Sequence, residues 1–223
     1  MDYDFIARSI PVYVKAAELT LQLSLLGIFL SLLIGLACAL VRYYKVKCLT
    51  PLVALYIELS RNTPLLIQLF FLYYGLAKFG IKLEAYTCAV AGLTFLGGSY
   101  MAEAFRAGLE AVGKGQLEAG MSIGLSRLQL LRCVVLPQAL AVAVPALGAN
   151  AIFLLKETSV VSAIALADLM FAAKDLIGMH YKTTEALLLL VIFYLLLLLP
   201  LSAALTKLER RVRYGGIGNS CDL

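Results

Sequence analysis

The sequence predicts an all-α, polytopic membrane protein with about five transmembrane helices and a cytoplasmic helical segment between the third and fourth. Two observations carry this. Hydrophobic residues make up 62% of the 223-residue chain and charged residues 15%, too little polar surface to cover a soluble domain of this size. Uncharged runs long enough for a helix of about 20 residues, the length that crosses ~30 Å of hydrocarbon, recur along it.

Three of these runs are unbroken, at residues 19–41, 133–155 and 186–206. A fourth, 49–77, is interrupted by Glu58 and Arg61, and a fifth, 85–102, is short and ends in "SYMAEAFR". The whole chain, 1–223, reads as one transmembrane domain with residues 104–137 as its cytoplasmic insert. The amino terminus mixes acids with bases and lacks the cationic start and small-residue cleavage site of a signal peptide.

Orientation follows from lysine and arginine. "RYYKVK" after the first run, the segment with Arg106, Lys114, Arg127 and Arg132, and the tail "KLERRVR" are basic, while the remaining loops are mixed or slightly acidic. Cytoplasmic loops carry the excess of lysine and arginine, so the amino terminus is expected outside and the carboxyl terminus in the cytoplasm. Five crossings satisfy every loop. The net charge of +5 lies in short clusters at run ends, which argues for a lipid bilayer and against nucleic acid as the partner.

Other chemistry is sparse. Cys38, Cys48, Cys88, Cys133 and Cys221 have no CxxC spacing and read as reduced hydrophobes, and Cys221 is misplaced for a prenylation box. His180 is the only histidine, so no metal site is expected. "GLEAVGKG" mimics a phosphate-binding loop, but Gly115 stands where magnesium needs a hydroxyl and no strand precedes it. Arg61, Asn62 and Thr63 ahead of Pro64 read as a helix start. Tyr73, Tyr74 and Tyr181 suit the membrane interface.

The segment "KGQLEAGMSIGLSRLQLLRCVVLPQAL" is the informative one. Gly124 permits a backbone turn that a Cβ resists, and helical spacing resumes after it, so two short helices should meet at a bend. The order Glu118, Ala119, Gly120, Gly124, Val134, Leu136, Pro137 resembles the Glu-Ala-Ala loop of permease subunits in bacterial ATP-binding-cassette importers, departing at Gly120 and Val134. "SRNTPLLIQLFFLYYGL", "SYMAEAFRAGLEAV", "LLKETSVVSAIALADL" and "LERRVR" look like the branch that imports polar amino acids, and the resemblance covers nearly the whole chain.

That resemblance implies a type I importer permease fold in the bacterial inner membrane. It implies a non-enzymatic transport subunit with no cofactor of its own, ATP and magnesium being bound by a partner ATPase dimer. It further implies an external solute-binding protein and a second permease chain, a copy of this one favoured over a paralogue. The helix around Glu118 would enter a groove on the ATPase, with Ala119 and Gly120 allowing close approach and Gly124 making the bend.

Pathway candidates rest on the cost of ionisable groups at membrane depth, which drives them toward a bundle interior or cavity. Glu103 with Ser99 and Tyr100 could receive an amino acid's ammonium group, or Glu103 could pair with Arg106 one helical turn on. Lys156 and Glu157 interrupt a run, and the hydroxyls after them suit a non-helical segment lining a buried cavity. By resemblance Thr158, Ser159 and Ser162 face the pathway as a gate; the alternative is that Lys156 and Glu157 only cap the run. Gln68 could touch solute, and Asp168 either joins the pathway or orients its loop. A channel or secondary transporter would not explain the central loop, and no internal repeat is visible; a purely structural subunit need not place charges inside its spans.

Overall fold

The structure, a computed structural model, describes residues 1–214, and within them every regular element is helical. Cys221 lies outside the described residues. Helix α1, Tyr3–Tyr43, starts at Asp2, whose carboxylate accepts from the Phe5 amide at 3.0 Å. At about 1.5 Å per residue its 41 residues run roughly 60 Å, twice the hydrocarbon thickness. The crossing expected to begin at residue 19 is thus the lower part of a longer helix. Its upper part, with Asp4, Arg8, Lys15 and Glu18, packs on α7, Leu169–His180, and α8, Thr183–Tyr214. There Tyr13 is fully buried and donates to the Ala186 carbonyl at 2.7 Å, and Lys182 pairs with Asp2 at 3.2 Å.

Helix α4, Ala85–Glu110, is the centre of the bundle, packed along α1 and against the helix Arg127–Ile164, α6. Three described helices are long and apolar enough to cross a membrane by composition: Tyr3–Tyr43, Arg127–Ile164 and Thr183–Arg213. Helix α4 reaches the required length at 26 residues, but its glycines, Ser99 and Thr94 face other helices, so its composition is shaped by close packing more than by lipid. A Cβ on Gly35 of α1 would lie 2.5 Å from Met101 Cβ and 2.8 Å from the Ala102 amide. The two backbones meet there.

The run at 49–77 is not one span. It divides into α2, Thr50–Arg61, and α3, Leu65–Lys78, because Pro64 has no amide to continue the ladder and disfavours helix at Thr63. A single wide turn at Phe71–Gly75 interrupts α3. After α5, Lys114–Ser122, helix α6 spans Arg127–Ile164, with a π turn at Leu131–Val135 just ahead of Pro137 and a tight 3-10 stretch at Thr158–Ile164. Cys38, Cys48 and Cys88 are free thiols.

Gly35→Ala is expected to cost about 1–3 kcal/mol, because its nearest neighbours are backbone and cannot swing away. Gly178→Ala, with open space around it, should leave the thermal midpoint in detergent unchanged or raised. Equal midpoints for the two variants would contradict the α1–α4 contact.

Candidate functional site

The bend between α5 and α6 is closed by its own backbone. Gly124 takes φ +84°, its amide donates to Met121 O at 3.0 Å, and the Leu125 amide reaches Gly120 O at 3.1 Å, a pair that ends a helix on a left-handed glycine. Two residues on, Ser126 opens α6 with a capping box: the Gln129 amide donates to Ser126 Oγ at 3.3 Å and the Ser126 amide to Gln129 Oε1 at 2.9 Å. The expected two-helix bend is present as a rigid elbow. Val112, Val135 and Ala139, with Leu109 and Leu117 against them, tie it to the ends of α4 and α6.

Gly120 does not lie on the elbow's outer face. It is buried, and a Cβ there would sit 2.4 Å from Leu130 Cδ1, so its small size serves packing within the elbow. The outer face holds Glu118 and Ala119, both exposed, beside Met121, Ile123 and Leu128. Ile123 is 76% exposed. Three large apolar side chains are thus exposed on the same elbow as one exposed carboxylate. Sequence reasoning passed over all three, although apolar residues flanking a forced turn were a usable signal.

Inside the bundle, most of the expected pathway residues have structural work. Ser99, fully buried, donates to Leu96 O at 2.7 Å and accepts from Ser60 Oγ at 2.9 Å, fastening α2 to α4. Tyr100 lies 5.2 Å beneath the Arg61 guanidinium and 5.3 Å from the Phe153 ring, and its carbonyl accepts from Asn150 Nδ2 at 3.2 Å. Gln68 Nε2 donates to Ser60 O, Thr63 O and Thr63 Oγ1 at 3.1, 3.1 and 2.9 Å. Its Oε1 is buried without a hydrogen-bond partner among the described residues, and Gln68 lines a cleft of about 480 Å³ with Thr63, Ile67, Phe71 and Phe95.

Glu103 has its ion pair. One oxygen meets Arg42 at the end of α1, and the other accepts from Arg106 Nη2 at 2.6 Å and Nε at 3.1 Å. Both carboxylate oxygens are therefore occupied by guanidinium groups of the same chain, and Glu103 sits at the basic end of α1. Arg42, 61 residues away in sequence, was not expected.

The 3-10 end of α6 makes its own local hydrogen bonds. Thr158, fully buried, donates to Leu155 O at 2.7 Å, and Ser162 Oγ to Ser159 O at 2.9 Å, while Glu157 ends the α-helical part. The Tyr194 hydroxyl from α8 is buried, faces Thr158 and Ser159, and has no geometric hydrogen-bond partner among the described residues. Asp168 is fully buried and caps α7, accepting from the Phe171 and Met170 amides at 2.9 and 3.2 Å. Burial pushes its carboxyl up to about 6 in spite of those amides. Orienting the loop is what it does here. His180 stacks edge-on with Phe5.

The sequence pattern of the family described as "Binding-protein-dependent transport system inner membrane component" matches residues 27–214. The probable amino-acid ABC transporter permease protein PatM of Vibrio harveyi is 35% identical over 190 residues, 84% of this chain and 85% of that one. The glutamine transport system permease protein GlnP of Escherichia coli K12 is 33% identical, covering 95% and 98% of the two chains. A crystal structure of an amino acid ABC transporter with histidines contains a chain that superposes with a TM-score of 0.86 at 35% identity, over 95% of this chain and 99% of that one.

The elbow's closure gives a local prediction. Gly124→Val forces a branched side chain to φ +84° at a cost of about 1–3 kcal/mol, so amide exchange should accelerate over residues 114–126 while the bundle stays protected. Unchanged exchange across the elbow would contradict the turn as described.

Proposed function

Because the chain belongs to the family of binding-protein-dependent transport system inner membrane components, we propose that it passes a polar L-amino acid across the membrane and that the elbow at Gly124 receives the drive. As the membrane subunit of an ATP-binding-cassette importer it does not hydrolyse ATP. A separate ATPase subunit does, and ATP with magnesium belongs there. A polar L-amino acid is the cargo favoured by the names of its relatives, PatM and GlnP. The exposed apolar tip at Ile123, on a turn capped from both sides, is the observation that carries the ATPase-docking assignment.

In this reading Glu118 pairs with a basic residue of the ATPase while Met121, Ile123 and Leu128 fill a groove on it. ATP-driven closure of the ATPase pair moves the elbow, and through Val112, Val135 and Ala139 the motion reaches α4 and α6 as a shift between two populated arrangements. Helix α6 ends in the 3-10 stretch, so Glu157, Thr158, Ser159 and Ser162 make the gate, with Gln68 and Tyr100 beside the path. Glu103, Ser99 and Asp168 hold the frame. The pathway is completed by a second copy of this chain and fed by an external solute-binding protein. The elbow, Lys45, Lys47 and the arginines at the end of α8 face the cytoplasm, and the Asp2 end of α1 faces out.

Glu118→Arg and Ile123→Asp should leave the membrane subunit folded and weaken ATPase retention, with Ile123→Asp losing roughly 30-fold in affinity as a central anchor does. Full co-purification of the ATPase with undiminished uptake in both variants would remove the docking assignment. In liposomes with ATPase and binding protein, ATP hydrolysis should rise with one polar amino acid and not with the others. Uptake that persists without ATP would overturn the importer mechanism for this chain.

A further inference from the structure

Below α1 the chain reverses into α2 over residues 44–49. Lys45 takes φ +50°, its amide reaching Arg42 O at 3.2 Å, and the Thr50 hydroxyl donates to Val46 O at 2.9 Å. The reversal borders a pocket of about 560 Å³ lined by Arg42, Lys45, Lys47, Thr50, Arg106 and Glu110. Its charge does not balance. Arg42 and Arg106 are matched by Glu103 and Glu110, but among the described residues neither Lys45 nor Lys47 is in an ion pair. Thr50 and Pro51 begin α2, and Leu49 at its cap offers no side-chain acceptor, so the helix's positive end borders the same space.

Depth and rim identify the anion. Arg42 closes a membrane-crossing helix, which puts the pocket at the level of lipid headgroups whichever leaflet it faces. Tyr44 is 71% exposed, and Val46, Leu49 and Leu52 are exposed beside it, an apolar border that a soluble anion would leave in water. Unmatched cations beside apolar side chains suit a molecule with a phosphate at one end and hydrocarbon at the other. We infer that this pocket binds the phosphate of an anionic phospholipid, with Lys45 and Lys47 supplying the charge and exposed Leu52, on the helix that turns back toward the membrane, lying along its acyl chains.

The test is a binding measurement on the full chain and does not depend on transport. The protein is carried in nanodiscs of phosphatidylcholine with a minor share of phosphatidylglycerol, and retained lipid is counted by native mass spectrometry. Wild type should retain phosphatidylglycerol preferentially. Lys45→Gln with Lys47→Gln should reduce that retention roughly 30-fold, while Lys45→Arg with Lys47→Arg preserves it. Arg210→Gln with Arg211→Gln should leave it unchanged, and millimolar inorganic phosphate should not displace the lipid. Undiminished retention in the glutamine pair, or an equal loss in the Arg210 and Arg211 variant, would overturn the site. Displacement by inorganic phosphate would reassign it to a soluble anion.

Discussion

Backbone amides and carbonyls at hydrocarbon depth must find partners inside the protein, because lipid offers none. This constraint explains where the chain can stop being helical and which side chains stand there. At the break between α2 and α3, Pro64 brings no amide, and the carbonyls left behind are collected by side chains. Asn62 donates to Glu58 O, Thr63 to Leu59 O, and Gln68 to Ser60 O and Thr63 O. At the end of α6, Thr158 and Ser162 do the same for Leu155 and Ser159. Hydroxyl and amide groups that look like solute ligands in the sequence are first of all what makes a broken helix tolerable. The elbow, whose residues are largely exposed, closes with two local caps.

Legibility followed the range of the interactions involved. The elbow could be read because its cause is local: Gly124 and the Ser126–Gln129 pair act within a few residues. The long apolar runs could be read for the same reason. The helix start at Pro64 could be read from its local residues, Arg61, Asn62 and Thr63, yet 49–77 still reads as one run, because apolar composition on both sides hides a division made by one lost amide. The packing of Gly120 against Leu130 could not be read, because the two come into contact only after the chain has turned. Arg42 could not be paired with Glu103 from sequence, since the two meet only when α1 and α4 lie side by side. Met121, Ile123 and Leu128 passed as ordinary helix residues, because exposure is a property of the folded elbow.

The Arg42–Glu103–Arg106–Glu110 chain connects these parts. A carboxylate withdrawn from water is costly unless its hydrogen-bonding capacity is met, and losing one guanidinium partner would leave charge stranded at the helix ends. Glu103 shared between α1 and α4 therefore resists the two helices sliding past each other at their lower ends, and Gly35 resists it from within by holding the backbones in contact. Rigid coupling of α1 to α4 leaves the elbow attached to one block, through Leu109 and Val112, and to α6, through Val135 and Ala139. At the far end of α6 the 3-10 stretch is held by the local hydroxyl bonds of Thr158 and Ser162, with the buried Tyr194 hydroxyl facing it from α8.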